Sequence, residues 1–222
     1  HMGSISTTAS ETFMKHNTNR GFQINREVQR GQIKLYKKYG IQVRRASIMT
    51  AFGCNFEGEI APQLVVDRLK EILDIADEEG TPIEILSIAD TMGWAAPNSI
   101  KQVVGKVRES WPDKRICLHL HDTRGMGIAN VYAGMEMGVD LFDSSVAGLG
   151  GCPFAALKGA AGNVCTEDIV FLCNEHGIET GVNLDALIEV ARLAEDIVGH
   201  PLPGSIMHAG SLTQYKVSQA AE

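Results

Sequence analysis

Almost every apolar run in this chain ends in polar residues, and that pattern constrains its fold more than any other feature. Ile5 to Ala9 runs into Ser10-Glu11, Val43 to Ala51 carries Thr50, and Ile83 to Ala89 runs into Asp90-Thr91. Ile116 to His121 carries His119 and runs into Asp122, while Val139 to Val146 carries Ser144-Ser145. Helical periodicity lies between and beyond these runs: Leu64, Val65, Leu69, Ile72, Leu73 and Ala76; Ile100, Val103, Val104 and Val107; Ile128, Val131, Tyr132 and Met135; Ile169, Leu172 and Cys173; Leu184, Leu187, Ile188 and Ala191. Strands that alternate with helices form parallel β/α units.

Polar groups at every strand's C-terminal end suit a barrel, whose active site is spread around that rim. An open doubly wound sheet gathers its ligands at one switch point, and neither a G-x-G-x-x-G nor a Walker sequence is present. The expected fold class is therefore α/β, a (β/α)8 TIM barrel of which the chain holds about the last five β/α units. Residues 1–4 read as a tag or cloning remnant, 5–200 as the C-terminal part of the barrel domain, and 201–222 as a tail.

Composition narrows the partners. Lys and Arg total 20 against 27 Asp and Glu, a formal net charge of -7, which disfavours a nucleic-acid backbone or an anionic membrane and suits a small molecule. No apolar run nears the roughly 20 residues of a membrane span. The five cysteines are odd in number and never spaced C-x-x-C, which points to free thiols and a cytoplasmic setting.

Leu118-His119-Leu120-His121-Asp122 is the sharpest chemical motif. The strand period of two turns both imidazoles to one side and both leucines to the other. Two neutral imidazoles side by side make a metal chelate, the alternative being a hydrogen-bonded pair of rim histidines. A metal-dependent hydrolase also uses such a pair, but wants further strand-borne His ligands that this chain lacks. Ser144 to Pro153 is a strand end entering a loop with Gly148, Gly150 and Gly151 before Cys152, read either as a hinge delivering a thiol or as a flexible turn. In Gly162 to Asp168, Asn163 offers an amide oxygen, Thr166 suits a helix N-cap, and Glu167 and Asp168 suit the helix's positive end.

These segments, with Ala9-Ser10-Glu11, Gly53-Cys54, Glu57-Gly58 and Asp143, resemble the 3-hydroxy-3-methylglutaryl-CoA lyase family over nearly everything from Ile5 to Gly204. The resemblance implies His119, His121 and Asn163 as ligands of Mg2+ or Mn2+. It implies Cys152, His119, Asp90 and Glu167 as catalytic, and Asn17, Thr91, Gly150, Gly151 and Lys158 as contacts of substrate or CoA. It also implies an acyl-CoA partner, a place in leucine degradation and a homo-oligomer, most simply a dimer. Nothing here matches the Arg-Asp pair of the family's first strand or the Glu of its second, so the chain is expected to begin at the family's fourth strand.

The expected reaction is retro-Claisen cleavage of 3-hydroxy-3-methylglutaryl-CoA to acetoacetate and acetyl-CoA. Alternatives are a related 3-hydroxyacyl-CoA such as citramalyl-CoA, or an inactive fragment. Asn55-Phe56 in place of Pro-Tyr, Ala89 in place of Gly, Arg124 in place of Tyr, and a longer loop from Phe154 to Ala161 are departures that leave the acyl group open. Cys152 or His119 is the expected proton donor to the enolate. Cys152→Ala should lower turnover severely while leaving metal binding intact, and steady-state kinetics with unchanged turnover would remove that assignment.

Overall fold

The computed structural model describes residues 2–151, 162–213, 215 and 216, which form two compact units, 2–143 and 144–151 with 162–216. The first unit runs β1 (Gly3–Thr8), α1 (Glu11–Thr18), α2 (Phe22–Lys38), β2 (Val43–Met49), α3 (Pro62–Glu78), β3 (Ile85–Ala89), α4 (Pro97–Ser110), β4 (Arg115–His119), α5 (Gly127–Glu136) and β5 (Leu141–Asp143). All neighbouring strands are parallel, in the order β1-β2-β3-β4-β5. Sequential order without reversal is the pattern of a (β/α) barrel, of which these strands are a part, and not of a doubly wound sheet.

The register sorts the strands into two unlike faces. Ser4, Ser6 and Thr8 lie beside Arg45, Ser47 and Met49, and these continue through Ser87, Cys117 and His119 to Asp143. The alternate positions, Ile5, Ala46, Ile48, Leu86, Ile88, Ile116 and Leu118, are at most 2% exposed. That apolar face is the one the helices cover: α3 packs on β1 and β2, and α3, α4 and α5 pack side by side. Their inward stripes are Val65, Leu69, Ile72 and Ala76, then Val103, Val104 and Val107, then Val131. Each large side chain so buried contributes roughly 1.5–3 kcal/mol, so this layer is the main stabiliser of the unit. Gly134 lets α5 lie close to the sheet, since a Cβ there would stand 2.6 Å from Leu118 Cδ1.

Several expectations shift. β1 begins at Gly3, so Gly3 and Ser4, read as a cloning remnant, pair with Val43 and Arg45 through backbone groups that any residue offers. β5 covers Leu141–Asp143 alone, much shorter than the expected run from Val139 to Val146. The periodicity gave no hint of α1 or α2. The buried positions of α2 are Asn25, Gln29 and Ile33, so it shows no apolar stripe. Its amides instead bond the edge of β1 that faces away from β2: Gln29 Oε1 accepts from Ser6 N at 2.8 Å, Asn25 Nδ2 donates to Ser6 O at 3.1 Å, and Gln32 Nε2 donates to Ser4 O at 3.2 Å. Backbone groups on such an edge would otherwise lack partners.

The second unit holds a 3-10 turn (Val146–Gly148), α6 (Thr166–Glu175), α7 (Leu184–Val198) and α8 (Ser205–Ala209). Ala147, Ala191, Leu202 and Met207 form one buried cluster, and Val170, Leu184 and Ile188 another. Thr166 is the first residue of α6 and not its N-cap, which is Cys165. The Thr166 hydroxyl is engaged elsewhere, 2.9 Å from Ser144 Oγ. Asp168 accepts from Ser205 N and Ile206 N and so opens α8, inside the stretch read as a tail.

Gln29→Ala should destabilise the protein by about 1 kcal/mol or more, the cost of orphaning the partly buried Ser6 N–H. Urea denaturation of the variant checks this, and a loss below about 0.5 kcal/mol would show that the β1 edge does not depend on α2.

Candidate active site

The site is assembled where the polar face of the first unit meets the C-terminal ends of its strands. His119 ends β4 and His121 follows it, with Leu118 and Leu120 wholly buried on the opposite side. The imidazole centroids are 5.4 Å apart and tilted by 48°, so the sequence-expected pair does come together. Burial, with the neighbouring His119, pushes the His121 pKa down to about 4 and keeps that ring neutral near pH 7.

Asp143, at the end of β5, faces His119 with Oδ2 3.2 Å from Nδ1. Burial opposes ionisation of Asp143, but hydrogen bonds from His119 and Arg45 and the Arg45 charge outweigh it and hold the carboxyl far below the usual range. An ionised carboxylate only accepts, so Nδ1 of His119 carries a proton, and in the neutral ring Nε2 then presents the lone pair. Arg45 reaches Asp143 from β2: Nη1 donates to Oδ1 at 3.1 Å, and Nη2 to Oδ2 and also to Ser87 Oγ at 2.6 Å. Cys117, on the same face, has its thiol pushed up to about 11, by burial first and by Asp143 next, so it stays protonated.

Around the rim, the other expected residues knit the strand ends together. Thr8 and Thr50 hydroxyls lie 2.7 Å apart, and Ser10 N donates to both at 3.2 Å. Ser10 Oγ caps α1 through Phe13 N and receives Cys54 Sγ at 3.1 Å. Thr50 has φ +54°, a costly conformation for a β-branched residue, and its N–H is held by Thr91 Oγ1 at 2.9 Å. Asn17 Nδ2 lies 3.9 Å from Met49 Sδ. Asp90 is 1% exposed, and its two oxygens accept from Trp94 N at 2.7 Å and Ala95 N at 3.0 Å. Burial nevertheless pushes its pKa up to about 6 against those amides and the Arg124 charge. Arg124 itself donates to the Met92 and Gly93 carbonyls, both at 2.8 Å.

In the second unit, Asn163 Nδ2 donates to Leu149 O at 3.2 Å, and Gly150 makes room for the amide, a Cβ there standing 2.7 Å from Asn163 Nδ2. Asn163 Oδ1 is buried and has no hydrogen-bond partner among the described residues. Glu167 is fully buried, and its Oε2 accepts from the N–H of Ala147, whose φ is +55°. Burial pushes the Glu167 carboxyl up. Cys152 and Lys158 lie outside the described residues.

A divalent cation fits what is present. Among the described residues no hydrogen bond occupies His119 Nε2, its Nδ1 is anchored on a carboxylate in the way metal-binding imidazoles usually are, and His121 is kept neutral. Among the described residues no three or more His, Cys, Asp or Glu side chains cluster as a metal centre, and His119 and His121 are the pair that could hold a cation here.

A family model described as HMGL-like matches residues 4–194. The chain belongs to the HMGL-like family. It is 36% identical over 204 residues to the hydroxymethylglutaryl-CoA lyase YngG of Bacillus subtilis, covering 88% of this chain and 62% of that protein. It is 35% identical over 191 residues to the (R)-citramalyl-CoA lyase of Chloroflexus aurantiacus, covering 83% of this chain and 58% of that one. The chain thus spans less than two thirds of the length of these curated relatives. Among solved structures, an HMG-CoA lyase from Acinetobacter baumannii in complex with coenzyme A and 3-methylmalate superposes with a TM-score of 0.85 at 35% identity, covering 96% of this chain and 66% of that one.

The sequence carried no assigned role for Arg45 or Asp143, though an arginine alternating with Ala46 and Ile48 inside an apolar run was the signal available.

Because Asp90 holds a proton more tightly folded than unfolded, its contribution to stability is present below its unfolded value and is lost as pH rises from about 4 to about 6. The change amounts to roughly 3 kcal/mol. Urea denaturation of the wild type and Asp90→Asn at pH 4 and pH 7 should show a stability difference that changes with pH by that order. Parallel pH profiles for the two proteins would show that Asp90 titrates normally.

Proposed function

We propose that the chain is part of a divalent-metal-dependent lyase that cleaves a 3-hydroxyacyl-CoA, with 3-hydroxy-3-methylglutaryl-CoA as substrate and acetoacetate and acetyl-CoA as products. The observation that carries this reading is the His119–His121 pair, with Nδ1 of His119 anchored on Asp143 and His121 kept neutral. Family membership supports the same chemistry.

His119 and His121 would hold the cation through their free ring nitrogens, and Asn163 Oδ1 is the further ligand in this proposal. A bound Mg2+ or Mn2+ would polarise the substrate's 3-hydroxyl and stabilise oxyanion charge. Loss of the 3-hydroxyl proton to a base and breaking of the C2–C3 bond turn the hydroxyl carbon into a ketone and leave a thioester enolate, which takes a proton at carbon. His119 is a poor donor for that proton, because Nδ1–H is committed to Asp143 and Nε2 is the ligand atom. Cys152 is therefore the proposed donor. Asp90 and Glu167 act in this reading by holding the 91–95 turn and the loop at Ala147, and Thr91 by holding Thr50. Asn17, Gly150, Gly151 and Lys158 are proposed contacts of substrate or CoA.

A related substrate, citramalyl-CoA, is the second reading, favoured by the citramalyl-CoA lyase relative. Among the described residues no helix is long and apolar enough to cross a membrane, and Cys54, Cys117 and Cys173 are free thiols. Cytoplasmic placement, a dimeric assembly and a part in leucine degradation complete the proposal.

With Mg2+ or Mn2+ present, the protein should release acetyl-CoA from 3-hydroxy-3-methylglutaryl-CoA, and EDTA should stop it. His121→Ala should lower kcat/KM by more than about 100-fold, beyond the roughly 10- to 100-fold typical when a ligand loses only its hydrogen-bond partner. Acetyl-CoA from citramalyl-CoA alone would select the second reading, and no cleavage of either thioester would sink both.

A further inference from the structure

Arg45 is the longest cross-sheet connection on the polar face. It leaves β2 and ends on β5, three strands away, touching β3 at Ser87 on the way. Neighbouring strands stand about 4.8 Å apart, so a flat sheet would separate β2 from β5 by about 14 Å. The contact is possible because the sheet is curled, with its polar face concave.

The partner at the far end is poorly held by its own element. Asp143 closes a strand of three residues, Leu141–Asp143, whose only paired neighbour among the described residues is β4. Its carboxylate has to be aimed by something else. Arg45 Nη1 binds Oδ1, and Nη2 binds Oδ2 while also anchored on Ser87 Oγ. A planar fork that takes both oxygens fixes the plane of the carboxylate as well as its position, which a point charge cannot do. With that plane fixed, Oδ2 is left facing Nδ1 of His119.

We propose that Arg45 is a positioning residue: its guanidinium, anchored on Ser87, holds Asp143 in the orientation that locks His119 as the Nδ1–H tautomer and keeps Nε2 as the metal-binding atom. The claim rests on the cation reading above for its consequence, but the tautomer lock stands on the contacts alone. Without Arg45, Asp143 can turn away and the imidazole is released to the Nε2–H form, which presents a proton where the cation needs a lone pair.

The test uses the full chain and two readouts besides turnover. Imidazole nitrogen shifts in 15N-labelled, metal-free protein report the tautomer of His119, and Mn2+ titration followed by electron paramagnetic resonance reports affinity. The wild type should show the Nδ1–H form. Arg45→Met should mix in the Nε2–H form and weaken Mn2+ binding by about 10- to 100-fold. Arg45→Lys, which keeps the charge but not the fork, should fall between the two in both readouts. An Arg45→Met protein that folds, even with a lowered Tm, yet keeps the wild-type tautomer and Mn2+ affinity would overturn the proposal. If Arg45→Met does not fold, Arg45→Lys decides: wild-type values in both readouts would overturn it. A wild type that shows the Nδ1–H form but binds no Mn2+ would remove the cation reading, leaving the tautomer shifts to decide on Arg45.

Discussion

One ion pair, between Arg45 and Asp143, ties the polar face of the first unit together. It spans the concave face from β2 to β5, with Ser87 as a stop between them. An arginine inside a barrel-type sheet is costly unless its donors are satisfied, and here the carboxylate and the hydroxyl supply that. Replacing a buried ion pair by apolar residues is often neutral or stabilising, so stability alone does not account for this pair. The geometry supplies the reason: the carboxylate that answers Arg45 also orients His119. Structure and chemistry share one group, so the curl of the sheet and the state of the imidazole are set together.

A division of labour between the two faces of the sheet follows. Apolar alternate positions bind the helices and provide most of the stabilisation, while the polar positions carry Ser, Thr, Arg, Cys, His and Asp. Period two is what allows one strand to do both. In β4, Leu118 belongs to the core and His119 to the site, one residue apart. The rim adds a second tier of order. Thr8, Thr50, Ser10 and Thr91 bond one another, and the left-handed Thr50 is kept in place by Thr91. Many of the polar strand ends that mark the fold in the sequence therefore serve first to join neighbouring loops.

The second unit has the same economy on a smaller scale. Glu167 is buried to support Ala147 in a left-handed conformation, and Asp168 turns to open α8. Read by sequence, both acids suit a helix's positive end, and in the fold each has a further partner. Asn163 is different: its amide nitrogen donates to Leu149 O, and its buried oxygen has no partner among the described residues.

Much of this was legible in the chain itself. Apolar runs with polar ends and helical stripes suffice for parallel β/α units, because burial is decided by residue spacing and β-branched, apolar segments have few other places to go. The His119-x-His121 pair was legible for the same reason, since strand geometry dictates that i and i+2 share a face. Elements whose buried positions are polar were not legible. Helix α2 is recruited by three amides that bond an edge of β1, and no periodicity marks an amide as buried. Nor could spacing show that Arg45 meets Asp143, 98 residues later, or that Asp90 spends both oxygens on the turn that follows it. Local sequence determines which face of an element a residue takes. Which distant partner it finds there depends on the curl of the sheet, and the curl exists only once the strands are packed together.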